Sequence, residues 1–247
     1  MAHLRQYLRL QGSRFAELVR TRPPPNVIRI YLATLAASMV RRLRCSGQVD
    51  ALVRDLDREG TYSTRWFDGN AVEWMRIFRE EHLCDKRIRV LEIGSWEGRS
   101  TTFLLHHLPL AEVTAVDTWQ GGHEHAGDSR LARIEELFDA NVARFGARLT
   151  KIKSTSAEYF RMHAPSTLFD LVYVDGSHHA EDVMVDASEG FARLGTGGII
   201  IFDDYLWDRP TDPSAKPAVA INRFLRMRRG SYRILSVTTQ VVLKKIA

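Results

Sequence analysis

The stretch Val90-Leu91-Glu92-Ile93-Gly94-Ser95-Trp96-Glu97-Gly98-Arg99-Ser100 decides the fold. Its first residues close a β-rich run, Arg89–Ile93, and a helical pattern, Arg99–His107, opens at its end. Gly94 and Gly98 bracket the turn between the two, where glycine lets backbone approach a ligand closely. The turn is not a dinucleotide fingerprint. Bulky Trp96 stands where G-x-G-x-x-G has its middle glycine, and Glu97, near the helix start, would repel a pyrophosphate. A nucleoside ligand without phosphates fits better, with a purely structural turn as the competing reading of the glycines alone.

Downstream the texture alternates. Further β-rich runs fall at 112–117, 149–154, 168–175, 198–203, 232–238 and 240–246, and helical stretches at 129–145, 157–163, 180–194 and 218–228 lie between them. Strands alternating with helices at this spacing predict βαβ crossovers and a parallel sheet covered on both faces. The last two runs meet through about one residue, Thr239, so they form an antiparallel hairpin. The expected core is a seven-stranded, mostly parallel, Rossmann-like sheet whose final strand is reversed. On such a sheet ligands bind outside the carboxyl ends of the strands, at the switch point.

Chemistry therefore belongs at the strand ends. The second run ends at Asp117-Thr118-Trp119, with Asp117 lying 23 residues beyond Gly94, where an acidic residue binds ribose hydroxyls. The fourth ends as Asp175-Gly176-Ser177-His178-His179 and the fifth as Asp203-Asp204-Tyr205. Neighbouring strands lie roughly 5 Å apart, so Asp175, Asp203 and Asp204 converge. Uncompensated, one of the three stays protonated; a divalent cation resolves the repulsion, and hard oxygen ligands point to magnesium, manganese or calcium. Adjacent Asp203 and Asp204 do not point the same way on a regular strand, so one of them is free to cap the next turn. His178 is a candidate proton acceptor beside this cluster, against a helix-capping or core histidine; for His179 the structural reading is preferred. His123, Glu124 and His125, after the second run, read as a lid contacting substrate or cofactor rather than as metal ligands.

Taken together, Glu92-Ile-Gly94-Ser-Trp-Glu-Gly98-Arg-Ser100, Val116-Asp117-Thr-Trp119, Asp175-Gly-Ser-His178 and Gly197-Gly198-Ile-Ile-Ile-Phe-Asp203-Asp204-Tyr205 resemble the class I S-adenosylmethionine-dependent methyltransferases. The nearest likeness is to the metal-dependent branch of bacterial small-molecule and sugar O-methyltransferases, over about residues 86–247. The resemblance implies S-adenosylmethionine as methyl donor and a small hydroxylated acceptor. It implies Glu92, Gly94, Ser95 and Gly98 around the methionine end, Asp117 on the ribose, Trp119 near the adenosine, Ser154 to Ser156 at the adenine, and Asp175 also among the cofactor contacts. It also implies a divalent metal, magnesium first, at Asp175, Asp203 and Asp204. Where catechol-type members have Asn this chain has Asp204. In-line displacement by the acceptor oxygen would owe much to positioning, with His178 or Asp175 taking the proton.

Upstream, residues 1–85 read as an N-terminal helical extension to a methyltransferase domain at 86–247. A first helix stops at Pro23-Pro24-Pro25, a second covers roughly 27–58 with a possible break near Gly47, and a third spans about 70–82. Of a net charge of +5, residues 1–80 carry +6, from 14 Arg and no Lys against 8 acidic residues. A solvated face explains this, with a dimer arm or lid first among specific roles and an anionic surface second. With 45% apolar residues the chain can bury a sizeable core. Only Cys45 and Cys84 occur, which excludes a disulfide framework and a Cys-rich zinc site. No run reaches the about 20 apolar residues of a membrane span, and Arg5, Arg9 and Arg14 interrupt any signal peptide. The expectation is a soluble, cytoplasmic homodimer that binds no nucleic acid. Two rivals remain: a nucleic-acid methyltransferase, against which stands the lack of an Asn-Pro-Pro-Tyr-like segment, and a non-catalytic cofactor-binding protein.

Overall fold

Proline begins the architecture. Pro25 occupies the first turn of a long helix, α2 (Pro25–Glu59), where its missing N–H costs nothing, and the Pro23-Pro24 pair separates α2 from α1 (Ala2–Arg20). The computed structural model describes residues 2–122, 125–166, 168–207, 212 and 216–247, and the backbone alone at 2–8, 39, 41–46, 48 and 49. Leu4, Tyr7 and Leu8, expected on the apolar side of the first helix, therefore lie outside the described side chains, and His123 and Glu124 outside the described residues. Contrary to the expected break, α2 runs through Gly47: one glycine costs about 1 kcal/mol relative to alanine, too little to end a 35-residue helix. A 3-10 turn (Trp66–Gly69) leads into α3 (Ala71–Glu80).

The alternating part follows as β1 (Ile88–Ile93), α4 (Arg99–His107), β2 (Ala111–Asp117), α5 (Ile134–Val142), β3 (Leu149–Lys153), α6 (Ser156–Met162), β4 (Phe169–Val174), α7 (Ala180–Ala192), β5 (Leu194–Phe202), α8 (Pro217–Met227), β6 (Tyr232–Val237) and β7 (Val241–Lys245). The single helix expected over 129–145 is split into a 3-10 turn, α5 and a second 3-10 segment. The first turn starts at Asp128, whose side chain accepts from the Arg130 N–H and caps it locally.

The seven strands form one sheet in the order β3-β2-β1-β4-β5-β7-β6. β1 to β5 pair in parallel, and β7 is antiparallel to both of its neighbours, as the short 238–240 connection requires. The order reverses between β1 and β4, the switch point at which a doubly wound sheet opens a crevice. Both faces are covered. On one, Val172, Val174, Ile200 and Phe202 pack with α7, α8 and Leu18, Val27 and Tyr31 of the first two helices. On the other, Val90, Leu171 and Tyr173 pack with Trp74, Ile77 and Phe78 of α3 and Phe103 of α4. Burial on both faces is why these strands read as nearly continuous apolar runs.

Candidate active site

Four hydrogen bonds extend the ladder one residue beyond the strands: Gly94 N–H to Val116 O (2.9 Å), Asp175 N–H to Ile93 O (2.8 Å), Asp203 N–H to Val174 O (2.9 Å) and Ser154 N–H to Asp117 O (3.1 Å). They align the carboxyl ends of β1 to β5 along the floor of a cavity of about 1110 Å³. Gly94 has φ +83°, and a Cβ there would sit 1.9 Å from the Asp175 carbonyl oxygen. Only glycine permits this crossing of β1 and β4. Gly98, at φ +78°, starts α4, and its N–H bonds to Ser95 O at 2.7 Å.

Carboxylates hold the turn from both sides. Asp117 Oδ2 accepts from the Ser95 and Trp96 N–H groups (2.7 and 2.9 Å), and Oδ1 from Trp119 N–H (2.7 Å). Asp117 also lines the cavity, as its expected ribose role requires, and Oδ1, which accepts one bond, keeps a further lone pair for a ligand. Glu92 does not line it. The residue is fully buried and accepts from Ser95 Oγ (2.8 Å), Ser100 Oγ (2.6 Å) and Thr101 Oγ1, so it ties strand, turn and helix together from below. Burial pushes its carboxyl up to about 7, against the three hydroxyls that favour the charge. Because the folded value lies above the unfolded one, Glu92 weakens the fold as pH rises from about 4.5 to 7. Glu92→Gln should remove that slope. Wild type should lose about 3 kcal/mol relative to the variant across this window, read by denaturant unfolding at pH 4.5, 6 and 8; parallel curves would contradict it.

Trp119 is likewise turned away from the cavity. At φ +52° its ring is buried against Phe138 (centroids 4.8 Å apart), and its Nε1–H donates to Trp96 O at 2.9 Å. Among the expected adenine contacts, Ser154, Thr155 and Ser156 all line the cavity, with Thr155 capping α6 through its hydroxyl (Glu158 N–H, 3.2 Å). His125 lines the mouth and stacks on Trp96 (4.6 Å).

The acidic cluster divides just past the end of β5, where Asp204 takes φ +51°. Asp175, His178 and Asp204 each offer a ligand atom within 4.8 Å of the others. His178 Nε2 lies 2.7 Å from Asp204 Oδ2, and its ring stacks on Trp207 at 4.1 Å. Asp203, expected among the ligands, also lines the cavity, but its oxygens are engaged by protein: Oδ2 accepts from Tyr173 Oη (2.5 Å) and Gln240 Nε2 (2.8 Å), and Oδ1 accepts from Asp204 N–H (2.7 Å). His178 takes its position in the trio. Tyr173 Oη also meets Asp175 Oδ2 at 2.7 Å, yet one phenol carries one hydrogen. Burial first, then repulsion from Asp203 and Asp204, holds the Asp175 carboxyl well above the ordinary range, and Asp203 is raised by burial and by Asp204.

Sequence reasoning did not find the strap at residues 57–70. Arg99 makes a fork to Asp68 (2.5 and 2.9 Å) and reaches Asp57 (3.0 Å), Glu97 accepts from Ser63 N–H (2.7 Å), and Asn141 pairs with the Thr61 backbone (2.7 and 2.9 Å). These bonds pin Thr64, Trp66 and Asn70 along the cavity beside the glycine turn. Tyr173 was legible: two residues before Asp175, it shares its strand face.

Residues 91–205, from the end of β1 through the acidic pair, match a family described as a methyltransferase domain. That segment, a little under half of the chain, is similar to a methyltransferase domain. A protein of Acanthamoeba polyphaga mimivirus is 27% identical over 135 residues, 52% of this chain and 56% of its own length; the chain thus spans little more than half of that relative. Among solved structures, the O-methyltransferase TomG of Streptomyces achromogenes, in complex with S-adenosylmethionine, is 16% identical and superposes with a TM-score of 0.55 over 89% of this chain and 98% of its own. The MycE methyltransferase of the mycinamycin pathway, in complex with magnesium, S-adenosylhomocysteine and mycinamycin VI, is 20% identical, with a TM-score of 0.52 over 80% of this chain and 54% of its own. The chain thus has the class I methyltransferase fold. Among the described residues no helix is long and apolar enough to cross a membrane.

Proposed function

We propose that the protein transfers the methyl group of S-adenosylmethionine to a hydroxyl oxygen of a small molecule, assisted by a divalent cation at Asp175, His178 and Asp204. The observation that carries this reading is the meeting, in one cleft, of that hard-donor trio with a turn that has no room for a side chain at Gly94. The donor fits a cleft whose floor is the glycine turn, with Asp117 at one side and Ser154 to Ser156 beyond it. A magnesium ion fits two carboxylates and an imidazole, and its charge relieves the repulsion that raises Asp175. When bound, such a cation lowers the pKa of an acceptor hydroxyl.

The chain's own part is alignment and proton removal. A lone pair of the acceptor oxygen forms the new bond to the methyl carbon as the carbon–sulfur bond breaks and sulfur keeps its electron pair. The glycine turn and the strap hold donor and acceptor in line, and such positioning supplies much of the rate. His178 has a single lone-pair nitrogen: a cation held by the trio would occupy it, and the hydroxyl proton would then leave to water, whereas without the ion Nε2–H donates to Asp204 and Nδ1 takes the proton. Nucleic-acid methyl transfer, the rival drawn from the basic pI, is less favoured, because the side of the cavity lined by Gln11, Tyr31, Leu35 and Ser38 of α1 and α2 suits a small acceptor better than a phosphate backbone.

Dialysis against EDTA tests the cation. Transfer of labelled methyl to a panel of phenolic and glycosidic hydroxyls should fall at least tenfold and return with magnesium. Turnover unchanged by EDTA would remove the cation and leave His178 as the sole activating group. S-adenosylhomocysteine binding without transfer to any hydroxyl would favour the non-catalytic reading instead.

A further inference from the structure

The cavity is larger than one ligand needs. Sites for a single small molecule run to about 300–1,000 Å³, and this one reaches about 1110 Å³. Beyond the strand ends and the acidic trio it continues to Gln11 and Arg14 of α1 and to Tyr31, Leu35 and Ser38 of α2. Tyr31, Leu35 and Ser38 follow at i, i+4 and i+7, so α2 presents one continuous face to the chamber over about 10 Å of its axis. That face is mixed: an aromatic ring and an isobutyl group beside hydroxyls, with Val72 and Trp207 also lining the chamber.

This wall is anchored, not loosely laid on. Glu17, 3% exposed, pairs with Lys216 (2.5 Å) at the start of α8. Thr21 O accepts from Asn222 Nδ2 (3.1 Å), and Asn222 Oδ1 accepts from Tyr205 Oη (2.7 Å). Tyr205 directly follows Asp204, so α1 is fastened to the segment that carries the trio. Tyr31, only 2% exposed, donates from its hydroxyl to Gln11 Oε1 at 3.4 Å and locks α2 to α1.

We propose that α1 and α2 form the acceptor-binding wall, that the acceptor is an elongated molecule with a hydroxylated head and an apolar body, and that Leu35 is a specificity-determining residue for that body. The inference rests on the methyltransferase reading, since it takes the strand-end half of the chamber for the donor. A head held at the trio leaves Leu35 and Val72 against water unless the acceptor extends to cover them.

The test uses the full chain loaded with S-adenosylhomocysteine, and octyl β-D-glucopyranoside below its micelle concentration as probe, with glucose as the head alone. Calorimetry should find the octyl glucoside at least tenfold tighter than glucose. Leu35→Trp, which fills the chamber, should cancel that advantage while S-adenosylhomocysteine affinity and melting temperature stay as in wild type. Should Leu35→Trp misfold, Ser38→Tyr, one turn along the same face, makes the same demand. Equal affinity for octyl glucoside and glucose, or an advantage that survives both substitutions with the donor product still bound, would overturn the acceptor wall alone. Failure of the wild type to bind S-adenosylhomocysteine would instead overturn the methyltransferase reading beneath it.

Discussion

Gly94→Ala should abolish S-adenosylhomocysteine binding and destabilise the fold by about 2–5 kcal/mol. Two costs add. The residue has φ +83°, where an alanine costs roughly 1–2 kcal/mol, and its new Cβ would lie 1.9 Å from the Asp175 carbonyl oxygen. Overpacking of this kind costs a further 1–3 kcal/mol or so, and here both sides are backbone held by ladder bonds to Val116 and Ile93. Relief requires β1 and β4 to part at the switch point, which displaces Asp175 as well. Gly98→Ala is the control. Its φ is similar, but the nearest atoms are the Phe138 ring at 3.0 Å and Val142 at 3.1 Å, side chains that can yield. That variant should lose about 1–2 kcal/mol and keep measurable binding. Denaturant unfolding and calorimetry on both decide the matter, and a Gly94→Ala protein as stable and as tightly binding as wild type would refute this account of the turn.

His178→Ala should lower kcat for hydroxyl methylation by about 10²–10⁴-fold, and Asp204→Asn by a similar factor. The imidazole and carboxylate meet at 2.7 Å and act as a unit, so the double variant should fall little further than either single one. On the proposed reading, which gives the donor Asp117 and Ser154 to Ser156, neither should change S-adenosylhomocysteine affinity. The expectation holds whether His178 accepts the proton or ligates a cation, and EDTA separates those two roles. Full turnover by His178→Ala would remove the residue from the chemistry.

Most of the sheet was legible because its strands are short apolar runs separated by amphipathic helices, a pattern that leaves few topologies. The reversed last strand followed from a connection too short for a crossover. The cluster at Asp175, Asp203 and Asp204 was legible as a cluster, but not its division: period-2 alternation says that Asp203 and Asp204 diverge, and only packing against Tyr173 and Gln240 decides which is engaged by protein. Trp119 and Glu92 were ligand contacts only by family resemblance, and the positive φ of one and the three hydroxyl donors around the other direct both into the protein. The strap and the α2 wall left no local signature. Arg99 to Asp68 and Asp57, or Tyr31 to Gln11, are contacts between distant segments that no periodicity encodes.

The aromatic arrangement carries a spectroscopic consequence. Trp74 is fully buried, edge-on to Tyr173 at 4.7 Å, and its Nε1–H donates to Gln240, whose own amide donates to Asp203. Trp66, 58% exposed, stands at the mouth of the chamber against Trp96. Of the five tryptophans, Trp74 thus emits from a dry environment wired to the acidic pair, and Trp66 from water at the entrance. Occupation of the chamber and disturbance of its floor would shift different parts of the intrinsic emission, so the protein carries two unlabelled optical gauges of its own working parts.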